Sequence, residues 1–79
     1  MSTSVRNQPH ADRVEFVEDA LVVYLRDGRW ISVPIHWFPR LRDATPAQRA
    51  NWRLIGQGVG LRWDDLDEDI SVRGLLVPE

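Results

Sequence analysis

The 79-residue sequence contains no cysteine, no lysine and only two histidines, and it has no long apolar run. Without cysteine there is neither a disulfide framework nor a thiolate metal site, and the composition fits a reducing compartment. No stretch approaches the roughly 20 apolar residues of a membrane-spanning helix, so a helical membrane protein is not expected. Met1 to His10 lacks the apolar segment of a secretory signal, which points to a cytoplasmic protein. All ten basic residues are Arg. Arg suits bidentate contacts to phosphate or carboxylate, although the codon usage of a GC-rich genome accounts for the choice more simply.

The aromatic and charged residues are more informative. Four Trp, two Phe and one Tyr supply much of the burial area, in a chain of a size that hides only about 60 to 65% of its unfolded surface. With no covalent or metal staple, stability rests on these side chains or on a shared core, so a homo-oligomer is one expected arrangement. Charge is laid out unevenly. From Ala20 to Trp63 there are seven Arg against Asp27 and Asp43, whereas Asp64 to Glu79 holds six acids against Arg73.

Residues 1–12 are polar and aperiodic and are expected to form an arm ahead of a single domain over 13–79. Arg13–Glu18 and Ala20–Arg26 alternate apolar and polar positions and read as strands, joined by a tight turn at Glu18-Asp19. Asp27-Gly28 separates the second strand from a third over Arg29–Pro34, and a two-residue Asp-Gly loop predicts a type I′ turn. Ile35, Phe38 and Leu41 recur every three residues, as in a short helical turn with Pro39 near its start. Thr45-Pro46 with Gln48 reads as a capping box opening a helix from Pro46 to about Trp52. Leu61–Trp63 reads as a brief strand, and Ser71–Leu76 as a terminal helix docking Val72, Leu75 and Leu76, weakened by Gly74. The predicted class is α+β: a small antiparallel β-meander of three N-terminal strands plus one or two short strands, packed with two or three short helices.

Little of the sequence resembles catalytic machinery. Asp64, Asp65, Asp67, Glu68 and Asp69 place five carboxylates in six residues. The spacing of Asp65, Asp67 and Asp69 matches the start of a calcium loop, but Ile70 stands where its Gly belongs and Leu76 where its bidentate Glu belongs. A solvated turn whose acids favour the N-terminus of the following helix is the simpler reading, and a docking patch for a basic partner the more functional one. Gly56-x-Gly58-x-Gly60 lacks the strand, helix and Lys of a phosphate loop and reads as a turn. His36 is a candidate base or ligand, but a lone His at a strand-to-helix junction is more often a polar cap. Arg40, Arg42, Arg49 and Arg53 with Trp37 and Trp52 form the basic and aromatic mix that holds single-stranded nucleic acid. Against it stand the net charge of −2 and a pI near 5.6.

Asp27–Pro34, Trp37–Leu41, Ala44–Gly56, Trp63–Val72 and Gly74–Leu76 together resemble the domain of unknown function 2442 family, over about Val14 to Leu76. The resemblance implies a small bacterial protein with an antiparallel sheet. Some members of that family carry a helix-turn-helix domain, which a sequence ending at Glu79 is not expected to hold. Others are encoded beside a second small protein in a proposed toxin-antitoxin-like pair. No catalytic residues, cofactor or metal come with the resemblance. The expected function is a non-catalytic protein-interaction module, in its sharpest form the antitoxin-like member of a two-protein system. It would dock an unidentified protein partner through Asp64, Asp65, Asp67, Glu68 and Asp69 and nearby exposed aromatics. The alternative is a nucleic-acid-binding or regulatory accessory protein using Arg40, Arg42, Arg49 and Arg53.

Overall fold

The computed structural model describes residues 9–76 and shows two three-stranded antiparallel sheets with three short α-helices. The first sheet is the expected meander, β1 (Ala11–Val17), β2 (Ala20–Leu25) and β3 (Trp30–Pro34). β1 begins at Ala11 and not at Arg13, with Ala11 fully buried and His10 accepting from Arg26 N–H through its carbonyl; residues 1–8 of the expected arm lie outside the described residues. Alternation places Val14 and Phe16 from β1, Leu21, Val23 and Leu25 from β2, and Ile31 and Val33 from β3 against the core.

The hairpin between β2 and β3 differs from the expected type I′ turn. Gly28 N–H donates to the Leu25 carbonyl and Leu25 N–H to the Arg29 carbonyl, and of Asp27 and Gly28 only Gly28 has positive φ. This is a three-residue loop ending in a left-handed Gly, the next commonest hairpin geometry after the two-residue turns. The Asp27 carboxylate selects it by accepting from Arg29 N–H at 3.0 Å and Arg29 Nε at 2.8 Å.

The segment after β3 forms a 3₁₀ turn, Ile35–Trp37, and then α1 (Pro39–Arg42), with Pro39 in the first position. Ile35 and Leu41 are buried and Phe38 half-buried, as their spacing predicts. α2 (Pro46–Ala50) has the complete capping box: Gln48 N–H donates to Thr45 Oγ1 at 3.1 Å, and Thr45 N–H to Gln48 Oε1 at 2.9 Å. It ends two residues before Trp52, where Asn51 leaves helical geometry.

The second sheet comprises β4 (Arg53–Ile55), β5 (Gly60–Trp63) and β6 (Glu68–Ser71), three short strands where one or two were expected. β6 corrects the reading of the acidic stretch as a turn leading straight into a helix. Ile70 pairs with Leu61 and is buried, which makes Asp69 and Ser71 the outward positions of a strand. α3 (Val72–Leu76) follows, with Ser71 Oγ accepting from Gly74 N–H at 3.3 Å. Val72 is buried and Leu75 packs on the core, but Leu76 is exposed, contrary to its expected docking.

Trp63 joins the two sheets. It is fully buried, meets Phe16 of β1 edge-on with centroids 6.2 Å apart, and donates its indole N–H to the Arg49 carbonyl at 2.9 Å. The glycine loop between β4 and β5 closes the other end of the junction. Gly58 is buried with φ +106°, and a Cβ there would lie 2.5 Å from the Ala11 carbonyl oxygen. The expected turn at Gly56–Gly60 is therefore also a close backbone approach that only Gly permits.

Candidate functional site

Four of the five clustered acids are held in place by basic or amide side chains from elsewhere in the chain. Trp63 pairs with Glu68, so residues 64–67 form the loop of the β5–β6 hairpin, with Asp67 left-handed at φ +52°. Arg62, on the outward side of β5, lies inside the cluster. Its guanidinium donates to Asp64 at 2.8 Å, Asp67 at 3.0 Å and Asp69 at 2.8 Å, and its side chain is only 24% exposed. Arg53 from β4 makes a bidentate pair with Asp64 at 2.7 and 3.2 Å. The guanidinium groups of Arg53 and Arg62 together hold the Asp64 carboxyl at about 2, below its ordinary 3.8. Asp65 accepts from the Asn51 amide at 3.0 Å.

Arg40 of α1 reaches the same loop. Its guanidinium donates to the carbonyls of Leu66 and Asp67 and stands 3.9 Å from the Asp67 carboxylate. Three arginines thus meet five acids, and the hairpin keeps two negative charges in excess. Among the described residues, Glu68 is the one acid of the five with no ion pair or side-chain hydrogen bond. Trp37, three residues before Arg40, is 57% exposed.

The four arginines considered for nucleic acid do not form one free basic face. Arg40 and Arg53 face the acidic hairpin, and Arg42 pairs with its neighbour Asp43 at 2.9 Å. Arg49 is structural: its guanidinium donates to the carbonyls of Leu41 and Arg42 at 2.9 and 2.8 Å, satisfying the end of α1, and lies 5.3 Å from the Phe16 ring centroid. Trp52 is half-buried against the core and Trp37 is exposed, so the two aromatics of that set lie in different environments. His36 is exposed, and among the described residues no three His, Asp or Glu side chains are grouped to hold a metal ion. Among the same residues no helix is long and apolar enough to cross a membrane.

One surface escaped the sequence reading. On the outer face of the first sheet, Arg13, Tyr24 and Trp30 lie side by side across the three strands. The Arg13 guanidinium sits 3.9 Å over the Tyr24 ring, whose hydroxyl donates to Glu15 at 3.0 Å. Trp30 is 64% exposed. The signal was present, since any strand with Ile31 and Val33 inward turns Trp30 and Ser32 outward. An open cleft of about 360 Å³ lies between β1 and α2, lined by Val14, Phe16, Pro46, Ala50 and Trp52 together with Glu15 and Arg49.

The comparisons with known proteins bear on the whole chain. No curated protein matches it. A crystal structure of a protein of unknown function from Rhodospirillum rubrum ATCC 11170 is similar, with a TM-score of 0.74 and 30% sequence identity over 89% of this chain and 87% of that one. The model of a family described as protein of unknown function (DUF2442) matches residues 11–79, nearly the whole chain. A match over that span leads to one conclusion: this chain belongs to the DUF2442 family.

Proposed function

We propose that the chain is a non-catalytic protein-interaction module that docks a basic partner through the β5–β6 hairpin and Trp37. The observation that supports this reading is the contact of Arg40 with the Leu66 and Asp67 carbonyls. It ties α1, and with it the exposed indole three residues earlier, to a loop with two unneutralised negative charges. An exposed Trp, carried three residues before the arginine that holds the charged loop, supplies the aromatic anchor such an interface needs. Asp65 and Glu68 are the acids left outside the ion pairs, so they carry the charge a partner would meet. In the sharper form of the proposal, the partner is the second member of a toxin-antitoxin-like pair, as the resemblance implies.

The test is a pull-down of the full tagged chain from its native host, run beside a triple variant, Trp37→Ala with Asp65→Asn and Glu68→Gln. A stoichiometric protein retained by the wild type and lost by the variant is the expected result. Equal retention by both would refute the hairpin as the docking surface. Retention of nuclease-sensitive material in place of protein would move the function to the arginines, with a steep loss on adding salt.

A further inference from the structure

We propose that the Asp27-Gly28 peptide is a site of spontaneous backbone isomerisation, from aspartate to isoaspartate, and that Arg29 restrains it in the folded chain. Asp27 is the only Asp or Asn of the sequence that is followed by Gly. The reaction brings the next amide nitrogen onto the side-chain carboxyl carbon, and a residue with no Cβ leaves that approach open. Asp27, Gly28 and Arg29 are all exposed, and a Cβ added at Gly28 would meet nothing within 4 Å, so no neighbouring element shields the pair. The chemistry needs no co-reactant but water. The Gly28 nitrogen attacks Cγ of the protonated Asp27 carboxyl, the amide proton and the carboxyl hydroxyl leave together as water, and a succinimide ring closes. Water then adds to a ring carbonyl. Opening at the former main-chain carbonyl leaves the backbone running through Cβ and Cγ, with the α-carboxyl as the side group.

In the folded loop both reacting groups are held in their unreactive form. Asp27 Oδ1 accepts from Arg29 N–H at 3.0 Å and Oδ2 from Arg29 Nε at 2.8 Å, so the carboxyl is bound as the anion, a poor electrophile. These contacts, the Arg29 backbone N–H first, hold the Asp27 carboxyl below its ordinary value of 3.8. The nucleophile is engaged as well: Gly28 N–H donates to the Leu25 carbonyl at 3.1 Å, a bond that attack on Cγ breaks. Isomerisation would also have a structural consequence. It inserts an extra main-chain carbon into the loop closed by that bond and by Leu25 N–H to the Arg29 carbonyl at 2.8 Å, and so loosens the β2–β3 hairpin at its tip.

This inference rests on a different sheet from the acidic hairpin and is independent of the proposed docking function. The test is incubation of the full chain near neutral pH, folded and in urea. Isoaspartate is counted by enzymatic methylation with labelled S-adenosylmethionine and located by peptide mapping. The folded wild type should isomerise at Asp27 several-fold more slowly than the unfolded wild type. Arg29→Ala should isomerise several-fold faster than wild type when folded and at the wild-type rate in urea, since the restraint exists only in the folded loop. Arg29→Lys, which keeps the cation and the backbone N–H but loses the Nε donor, should fall between the two. Circular dichroism confirms that each variant is folded, and Arg29→Gln gives the same reading if Arg29→Ala is not. Isoaspartate that accumulates at another position before Asp27, or a folded Arg29→Ala no faster than wild type, would overturn the proposal.

Discussion

The two sheets of this domain are held by different physics. The first has strands of seven, six and five residues, and each contributes apolar side chains to the core. The second has strands of three, four and four residues, and its fully or nearly fully buried apolar side chains are Leu61, Trp63 and Ile70. What the second sheet lacks in apolar contact it makes up by attachment: Trp63 inserted beside Phe16, Gly58 pressed on Ala11, and Arg62 gathering three carboxylates on its outer side. Exposed ion pairs add little stability singly, but several charges sharing one cation fix geometry. A small domain can therefore build half its structure from local alternation and attach the other half through a few specific contacts.

Removing the attachment should have the largest effect. Trp63→Ala deletes the largest fully buried side chain and leaves the Arg49 carbonyl without its donor, for an expected loss of about 3 to 5 kcal/mol, seen as a collapse of the denaturant midpoint. The glycines give a sharper comparison, because Gly28 and Gly58 have similar backbone angles, φ +97° and +106°, in opposite sheets. Gly28→Ala meets open space and should cost only the strain of a left-handed residue, about 1 kcal/mol. Gly58→Ala adds a collision with the backbone of Ala11 and should cost about 2 to 3 kcal/mol or more, so equal losses would show that the loop does not seat on β1 as described.

Acid should act more gently, and most through Asp64 of the second sheet's hairpin. The Asp64 carboxyl lies at about 2 in the folded chain against an ordinary 3.8, so the unfolded chain binds the proton first as pH falls. The stability it contributes is complete above about pH 4 and is lost between there and pH 2. Asp27 and Asp43 are also held below their ordinary values, by Arg29 and Arg42 respectively, and act in the same direction. Thermal unfolding followed from pH 5 to pH 2 should therefore show a falling midpoint, with a shallower slope in Asp64→Asn.

Much of the first half was legible because its signals are local. Thr45, Pro46 and Gln48 specify a helix start within four residues, and the capping box forms as read. Alternation in Leu21, Val23 and Leu25 defines a buried face without reference to anything distant. The exact turn at Asp27-Gly28 was less so, because the dipeptide fits both a two-residue and a three-residue loop, and the hydrogen bonds from Arg29 to Asp27 decide between them. The candidate site was legible only as composition. Five acids in six residues are visible in the sequence, but their partial neutralisation by Arg40, Arg53 and Arg62 depends on residues up to 27 positions away.

By itself, then, the sequence determined an α+β domain opening with a three-stranded meander, a capped helix and a glycine turn, because each depends on interactions within a few residues. The tertiary structure alone decided that the acidic stretch splits into a hairpin loop and the start of a strand, which tryptophans are buried, and which charges remain free. Strand pairing across a hairpin sets which side chains point outward, and only packing two sheets together distinguishes Trp63, closed over by Phe16 and Arg49, from Trp30, left on an open face.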